Sequence, residues 1–253
     1  VVKALECEVK AFHRRKLSDV YRVLYLDGLW VKIARPMAVK KVLLVAYGVR
    51  SDNSRELLDF MLAPSESEAS WWGFVSDLKA RGLRGGFLEV LVHDGCAGLV
   101  EALSALYPRV KRQWCVFHKL SDLGGNLIER ANRSRIVKDA AAIYEAQTEK
   151  ELQERLRFFQ ATWRQREPKA VRCFVRHLEQ TMTYREYDEP LKTLIKTNNP
   201  IERQLEELQR RIKPFRKFNS ARSAERIVYG LIAYVLDTQW DEKSSQFYTI
   251  CFT

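Results

Sequence analysis

Residues 21–33 read YRVLYLDGLWVKI, and no other run restricts the possible folds as tightly. Aromatic and β-branched residues dominate it with few polar interruptions, the composition of a strand buried on both faces. Such strands lie in sheets covered by helices, so the chain is expected to be α/β. Asp27 stands in the middle of the run. Burying a carboxylate there is costly unless it is paired or coordinates a metal ion. Gly28 beside it leaves room for backbone or substrate to come close. The plain structural alternative is an Asp that ends a strand at a turn.

The rest of the pattern supports a mixed sheet with helices packed on it. Residues 4–16 have helical periodicity, ARPMA is a turn, and KKVLLVAYGVR and RELLDFMLAP are a second and third strand, the last ended by Pro64. Residues 65–82 predict a helix with Ser67 as N-cap and Trp71, Phe74, Val75 and Leu78 on one apolar face. GGFLEVLVHDG is a further strand, CAGLVEALSALYP a helix, and RVKRQWCVFH a fifth, short strand. From Ser121 to about Leu194 the pattern is helical only. Thr148 and Glu151 form a capping-box signature for a helix with Leu152, Leu156, Phe159 and Trp163 on one face. Pro168 opens another helix through about Met182. A block of roughly 75 residues is too long for an ordinary connection inside a domain. The chain resumes with KTNNPIERQLEELQRRIKPF, with Asn199 as N-cap and Pro200 at the first helical position, and ends in an apolar helix from SARSAERIVYGL onward. The expected organisation is a linker helix over 1–20, the first part of the core over 21–120, a helical insertion over 121–194 and the core's C-terminal helices over 195–253.

Charge indicates the partner. Lys and Arg outnumber Asp and Glu 43 to 32, a formal net charge of +11. Such a surplus suits a polyanion, because each neutralised phosphate releases a condensed counterion. The bases are also clustered, at 13–16, 109–112, 130–138 and 203–226. Five scattered cysteines, an odd number, predict a reducing compartment without a disulfide framework. No run is apolar enough to span a bilayer, and the start does not read as a signal peptide. A cytoplasmic chain without a membrane partner is the expectation.

Two further acids could join Asp27. Asp94 closes the apolar run LEVLVHD just before Gly95 and a helix, and the carboxyl ends of strands are where open α/β sheets place ligands. Capping that helix is the alternative use of Asp94. Glu202 is spaced from Asn199 like the Glu of a capping box. Helical phase sets it about 90° from the stripe of Ile201, Leu205, Leu208 and Ile212, a boundary position. Gln209 and Lys213 share its side. Mg²⁺ prefers oxygen ligands, so three carboxylates and a substrate phosphate can complete its shell. Two such ions about 4 Å apart stabilise the attacking and leaving oxygens of in-line phosphodiester displacement. No protein nucleophile is then required, in keeping with the lack of a Ser–His–Asp or Cys–His motif.

These residues sit within specific landmarks: LYLDGLWVKI, LAPSESEASWWGFVSDLKARGL, VHDG, RQWCVFHKL, and TNNPIERQLEELQRRIKPF followed by SAERIVYGL. In them, from about Ala4 to Tyr234, the chain resembles the Mutator-type transposases, which include many bacterial and archaeal insertion sequences. The resemblance implies a ribonuclease H-like fold with an all-helical insertion before the last catalytic helix. It implies Asp27, Asp94 and Glu202 as catalytic, metal-binding acids, with two Mg²⁺ ions per site for which Mn²⁺ substitutes. The implied activity is metal-dependent DNA strand cleavage and strand transfer. The implied partners are double-stranded DNA, at transposon ends and target, and a second or further copy of the chain on DNA. Cys115 and His118 match a Cys-x-x-His element of the family, and Trp163 matches a Trp of the insertion, a candidate for packing against distorted DNA.

Departures from the family pattern are LDGLW in place of an LDATY-like sequence and Leu205 where an Asn is usual. The chain also begins almost at the catalytic region, so it is expected to be part of a longer protein or a shortened copy. Arg203, Arg210, Arg211, Lys213, Arg216 and Lys217 are candidates for DNA contacts or for lining the site, as are Arg130 to Lys138, against the alternative of solvated helix faces. Cys115 and His118 with His93 and Cys96 offer a competing zinc set; the alternative is a core Cys115 and a His118 near the active site or a DNA phosphate. A transposase-derived DNA-binding or assembly protein without activity is the second functional expectation, and a different ribonuclease H-like nuclease, such as a junction resolvase, the third.

Overall fold

The computed structural model describes residues 2–34, 38–197, 199–215 and 217–233, without the side chains of 2–4, 199–204 and 215. Among the described residues the order begins α1 (Val2–Arg14), β1 (Tyr21–Ile33), β2 (Val39–Arg50), β3 (Arg55–Ala63) and α2 (Glu68–Ala80). Then come β4 (Val90–His93), α3 (Ala97–Leu106), β5 (Lys111–Trp114) and α4 (Val116–Gly125). Helices follow: α5 (Arg133–Ile143), α6 (Glu149–Trp163), α7 (Pro168–Val175), α8 (Leu191–Ile195), α9 (Asn199–Ile212) and α10 (Ala221–Leu231). The protein is α/β, with a mixed sheet of five strands flanked by helices. None of the described helices is long and apolar enough to cross a membrane.

The chain divides into two compact units, residues 1–89, 96–110 and 199–253 in one, and 90–95 and 111–198 in the other. In the first, β1, β2 and β3 form an antiparallel meander in which Asp27 faces Val45 and Gly28 faces Leu44. From Val23 to Asp27 every residue of β1 is buried, as the apolar run requires; beyond Gly28, Leu29, Val31 and Ile33 stay buried while Trp30 and Lys32 emerge. Helix α1 packs through Phe12 against Phe60 of β3 and Tyr229 of α10. Ser67 caps α2 by accepting from the Ser70 amide, and the expected face of Trp71, Phe74, Val75 and Leu78 is buried. Leu205 and Leu208 are the buried stripe of α9, and after that helix Phe218 bridges Ile33 at the end of β1.

In the second unit β4 and β5 run parallel, from Val90 opposite Lys111 to His93 opposite Trp114. Helix α6 opens as its signature predicts, with Thr148 Oγ1 accepting from the Glu151 amide at 3.1 Å. The Glu151 carboxylate in turn accepts from the Gln147 amide at 2.7 Å.

Three element boundaries differ from expectation. The strand expected from Gly85 is reduced to Val90–His93, because the Gly85 and Gly86 amides bond the Asp19 carboxylate instead of a neighbouring strand. The fifth strand stops at Trp114, and CVFH turns into α4 with Cys115 as its N-cap residue. The helix opened by Pro168 ends at Val175, and His177 beyond it is left-handed with φ 56°.

Candidate active site

Asp27 lies in the interior of β1 and is only 7 % exposed. Its Oδ1 accepts from the Gly28 amide at 2.7 Å, so the carboxylate is held to its own strand. A Cβ on Gly28 would stand 2.4 Å from Glu66 Oε1 and 3.0 Å from Val42 Cγ2. Residue 28 therefore lets the Glu66 carboxylate approach β1, on the face opposite to the Asp27 side chain. Glu66 belongs to the SESEASWW landmark, and its approach to Gly28 was not readable from sequence. The only local signal is its place just ahead of the Ser67 cap.

Asp94 follows β4 directly, at the carboxyl end of a strand and half-buried. Gly95 has φ +88°, and a Cβ there would lie 2.5 Å from the Trp114 ring. The turn after Asp94 thus needs glycine for both its backbone angle and its closeness to Trp114. The Gly95 amide donates to His93 Nδ1 at 3.0 Å, which places the imidazole proton on Nε2. Burial, aided by the Arg112 charge, drives the His93 pKa down to about 3, so the ring is neutral.

On α4, His118 and Asp122 are one turn apart, and Asp122 feels the charges of both His118 and Asp94. Burial pushes the Asp122 carboxyl up, the His118 ring pulls it down, and the Asp94 carboxylate adds to the rise. Asp122 counts as exposed by surface area, so protein crowds it on one side only. It is a second residue that sequence reasoning missed; its spacing of four from His118 was the available signal.

Glu202 lies in the first turn of α9, but its side chain is outside the described residues, as is that of Arg203; Arg216 is outside them altogether. Leu205, where the family favours Asn, is buried. Arg210 and Arg211 both pair with Glu207, at 2.8 and 2.6 Å, and their bonds hold the Glu207 carboxyl at a pKa of about 2. Lys213 and Lys217 are exposed.

Trp163 corrects the expectation of a DNA-packing side chain. It is 0 % exposed, it donates from Nε1 to Asp139 at 2.9 Å, and Arg135 lies over its ring at 5.6 Å. A ring enclosed in the core of the helical block has no face left for DNA. Arg133, bonded to the Gly124 carbonyl, also has a partner inside the protein.

Cys115 is buried, as a core residue would be, and its amide donates to the His93 carbonyl at 2.8 Å. Cys96 Sγ donates to the Glu66 carbonyl at 3.4 Å. Among the described residues no group of three or more His, Cys, Asp and Glu side chains is placed to hold a metal, so the four zinc candidates are not gathered. Asp27 and Asp94 are hard oxygen donors. That donor chemistry fits Mg²⁺ or Mn²⁺ better than a thiophilic ion.

Known proteins give this geometry a family. The chain is 27% identical to the transposase of insertion sequence element IS905 from Lactococcus lactis subsp. lactis, over 91% of this chain and 58% of that one. It is 25% identical to the transposase of IS1201 from Lactobacillus helveticus, over 90% and 61%, and 30% identical to that of IS6120 from Mycolicibacterium smegmatis, over 89% and 69%. The chain thus spans about three fifths of the first two relatives. The catalytic domain of Mos1 mariner transposase aligns over 71% of this chain and 87% of that one, at 13% identity and a TM-score of 0.28, too slight a likeness to bear on the fold. The model of the Mutator family of transposases matches residues 1–243, landmarks and both described acids included, and the chain belongs to that family.

Proposed function

We propose that the chain is the catalytic portion of a DNA transposase, with a ribonuclease H-like core, that cuts and rejoins DNA strands by in-line phosphodiester displacement. The observation that carries this reading is Asp27, a carboxylate 7 % exposed inside an apolar strand, in a chain of the Mutator family. A structural protein gains nothing from an acid there that an apolar residue would not give more cheaply.

Asp27, Asp94 and Glu202 would hold divalent magnesium, with manganese as a substitute. When bound, the ions supply positive charge that lowers the pKa of the attacking hydroxyl and stabilises the leaving oxygen. The protein's part is placement. Strand β1 and the Gly28 amide fix Asp27, and Asp94 follows the last residue of β4 at the turn that the left-handed Gly95 makes. Neutral His93 adds no positive charge beside Asp94 to compete with a cation. The net charge of +11 draws the DNA backbone, and exposed Lys213 and Lys217 are available to phosphates. A second copy of the chain, needed to pair two DNA ends, completes the reading.

Mn²⁺ titration followed by calorimetry tests the metal assignment. The wild-type chain is expected to bind Mn²⁺, and Asp27→Asn and Asp94→Asn each to weaken binding at least about tenfold. Equal affinity in both variants would remove the metal site and leave a DNA-binding protein.

A further inference from the structure

Beyond Gly28, β1 carries a second feature. Trp30 is 51 % exposed in a long strand, although tryptophan is mostly buried in folded proteins. It borders a groove of about 220 Å³ between β1 and α9, shared with Lys32, Gln209, Ile212 and Lys213. Lys32 stands directly opposite Lys40 in the β1–β2 register. The Lys32 carbonyl accepts from the Phe218 amide at 2.9 Å, which brings the exposed Lys217 to the same end of the strand.

Like charges directly opposite each other in an antiparallel pair are destabilising. Among the described residues none of Lys32, Lys40, Lys213 and Lys217 has an ion-pair partner. Arg210 and Arg211, on the same helix, are in contrast neutralised by Glu207. An exposed aromatic face among unneutralised ammonium groups calls for a ligand that is both flat and anionic. A cavity of roughly 150 Å³ accepts a benzene ring, so the groove has room for a heterocycle.

We propose that this groove binds an unpaired stretch of DNA, with one base stacked on Trp30 and its flanking phosphates on Lys32, Lys40, Lys213 and Lys217. Inside a duplex both faces of a base are covered by its neighbours, so away from the duplex ends only an unpaired base can lie on the indole. Stacking on aromatic side chains within a basic groove is the common means of holding single strands. The proposal rests on the reading of the chain as one that acts on DNA, and it specifies the form of DNA that this surface takes.

The test compares a labelled oligothymidylate of about 16 nucleotides with a blunt duplex of equal length, by fluorescence anisotropy on the full chain. Trp30→Ala is expected to weaken single-strand binding about tenfold and duplex binding by less than about twofold. Trp30→Phe, which keeps a stacking face, is expected to restore most of the loss. Lys32→Gln is expected to lower the salt dependence of single-strand binding by about 0.7 in the log–log slope. Equal weakening of both DNA forms, or no change in either, would overturn the proposal. DNA binding indifferent to Trp30 overturns the groove alone, whereas a wild-type chain that binds neither form overturns this proposal and the DNA reading together. Self-association lost in Trp30→Ala with DNA binding unchanged would assign the groove to a second copy and likewise overturn it.

Discussion

At the scale of single residues, two glycines flank the candidate acids for different reasons. Gly95 combines φ +88° with a close approach to the Trp114 ring, so Gly95→Ala meets both backbone strain and a clash. It should cost about 1–3 kcal/mol of stability, read as a lower urea midpoint. Gly28→Ala meets the mobile end of Glu66, which can swing away, so its midpoint should fall less than that of Gly95→Ala. Glu167 carries a pH dependence. It is fully buried and accepts from the Ile128 amide at 2.6 Å, the Glu129 amide at 3.1 Å and Asn132 Nδ2 at 2.8 Å. Burial pushes its carboxyl up, but these bonds win and hold it below the ordinary carboxylate range. Folding therefore favours the ionised form. Its contribution is complete above the ordinary range and is lost as pH falls through the lowered value, from about pH 5 downward. Glu167→Gln should be less stable than wild type at pH 7, and the gap in melting temperature should narrow as the pH is lowered.

At the scale of elements, the RQWCVFHKL landmark is mostly architecture. Gln113 accepts from the Tyr184 amide at 2.7 Å and donates to the Thr181 carbonyl at 2.9 Å, Trp114 covers Gly95, and Cys115 is core. Lys119 ends helix α7: its ammonium donates to the Cys173 carbonyl at 2.9 Å and the Arg176 carbonyl at 2.6 Å. Lys119→Met leaves both carbonyls without their charged donor and should cost about 1–3 kcal/mol, measured by chemical denaturation. The strands β1, β2 and β3 and the caps of α2 and α6 were legible because local patterns decide them: apolar runs, Ser67 three residues before the amide that donates to it, Thr148 likewise. The early stop of α7 was not legible, since its cause is an ammonium about fifty residues away in the chain. Trp163 was misread for a related reason. An apolar stripe on α6 predicts burial, and the family motif drew the residue toward DNA, yet its partner Asp139 lies on another helix. Of the candidate site, Asp27 and Asp94 were visible as acids in or at the end of apolar strands. Glu66 and Asp122 were not, because only folding brings them beside Gly28 and within the field of Asp94.

At the scale of the whole molecule, a basic chain of the Mutator family carries a buried strand acid and a strand-end acid. We propose that these acids, with Glu202, support cleavage of DNA by divalent metal. The most direct measurement is nicking of DNA that carries a transposon end, in Mg²⁺ or Mn²⁺, by wild-type chain and by Asp94→Asn. Metal-dependent nicking by the wild type is expected, with a rate more than about a hundredfold lower in Asp94→Asn and DNA affinity unchanged. Nicking by Asp94→Asn at the wild-type rate would contradict the proposal.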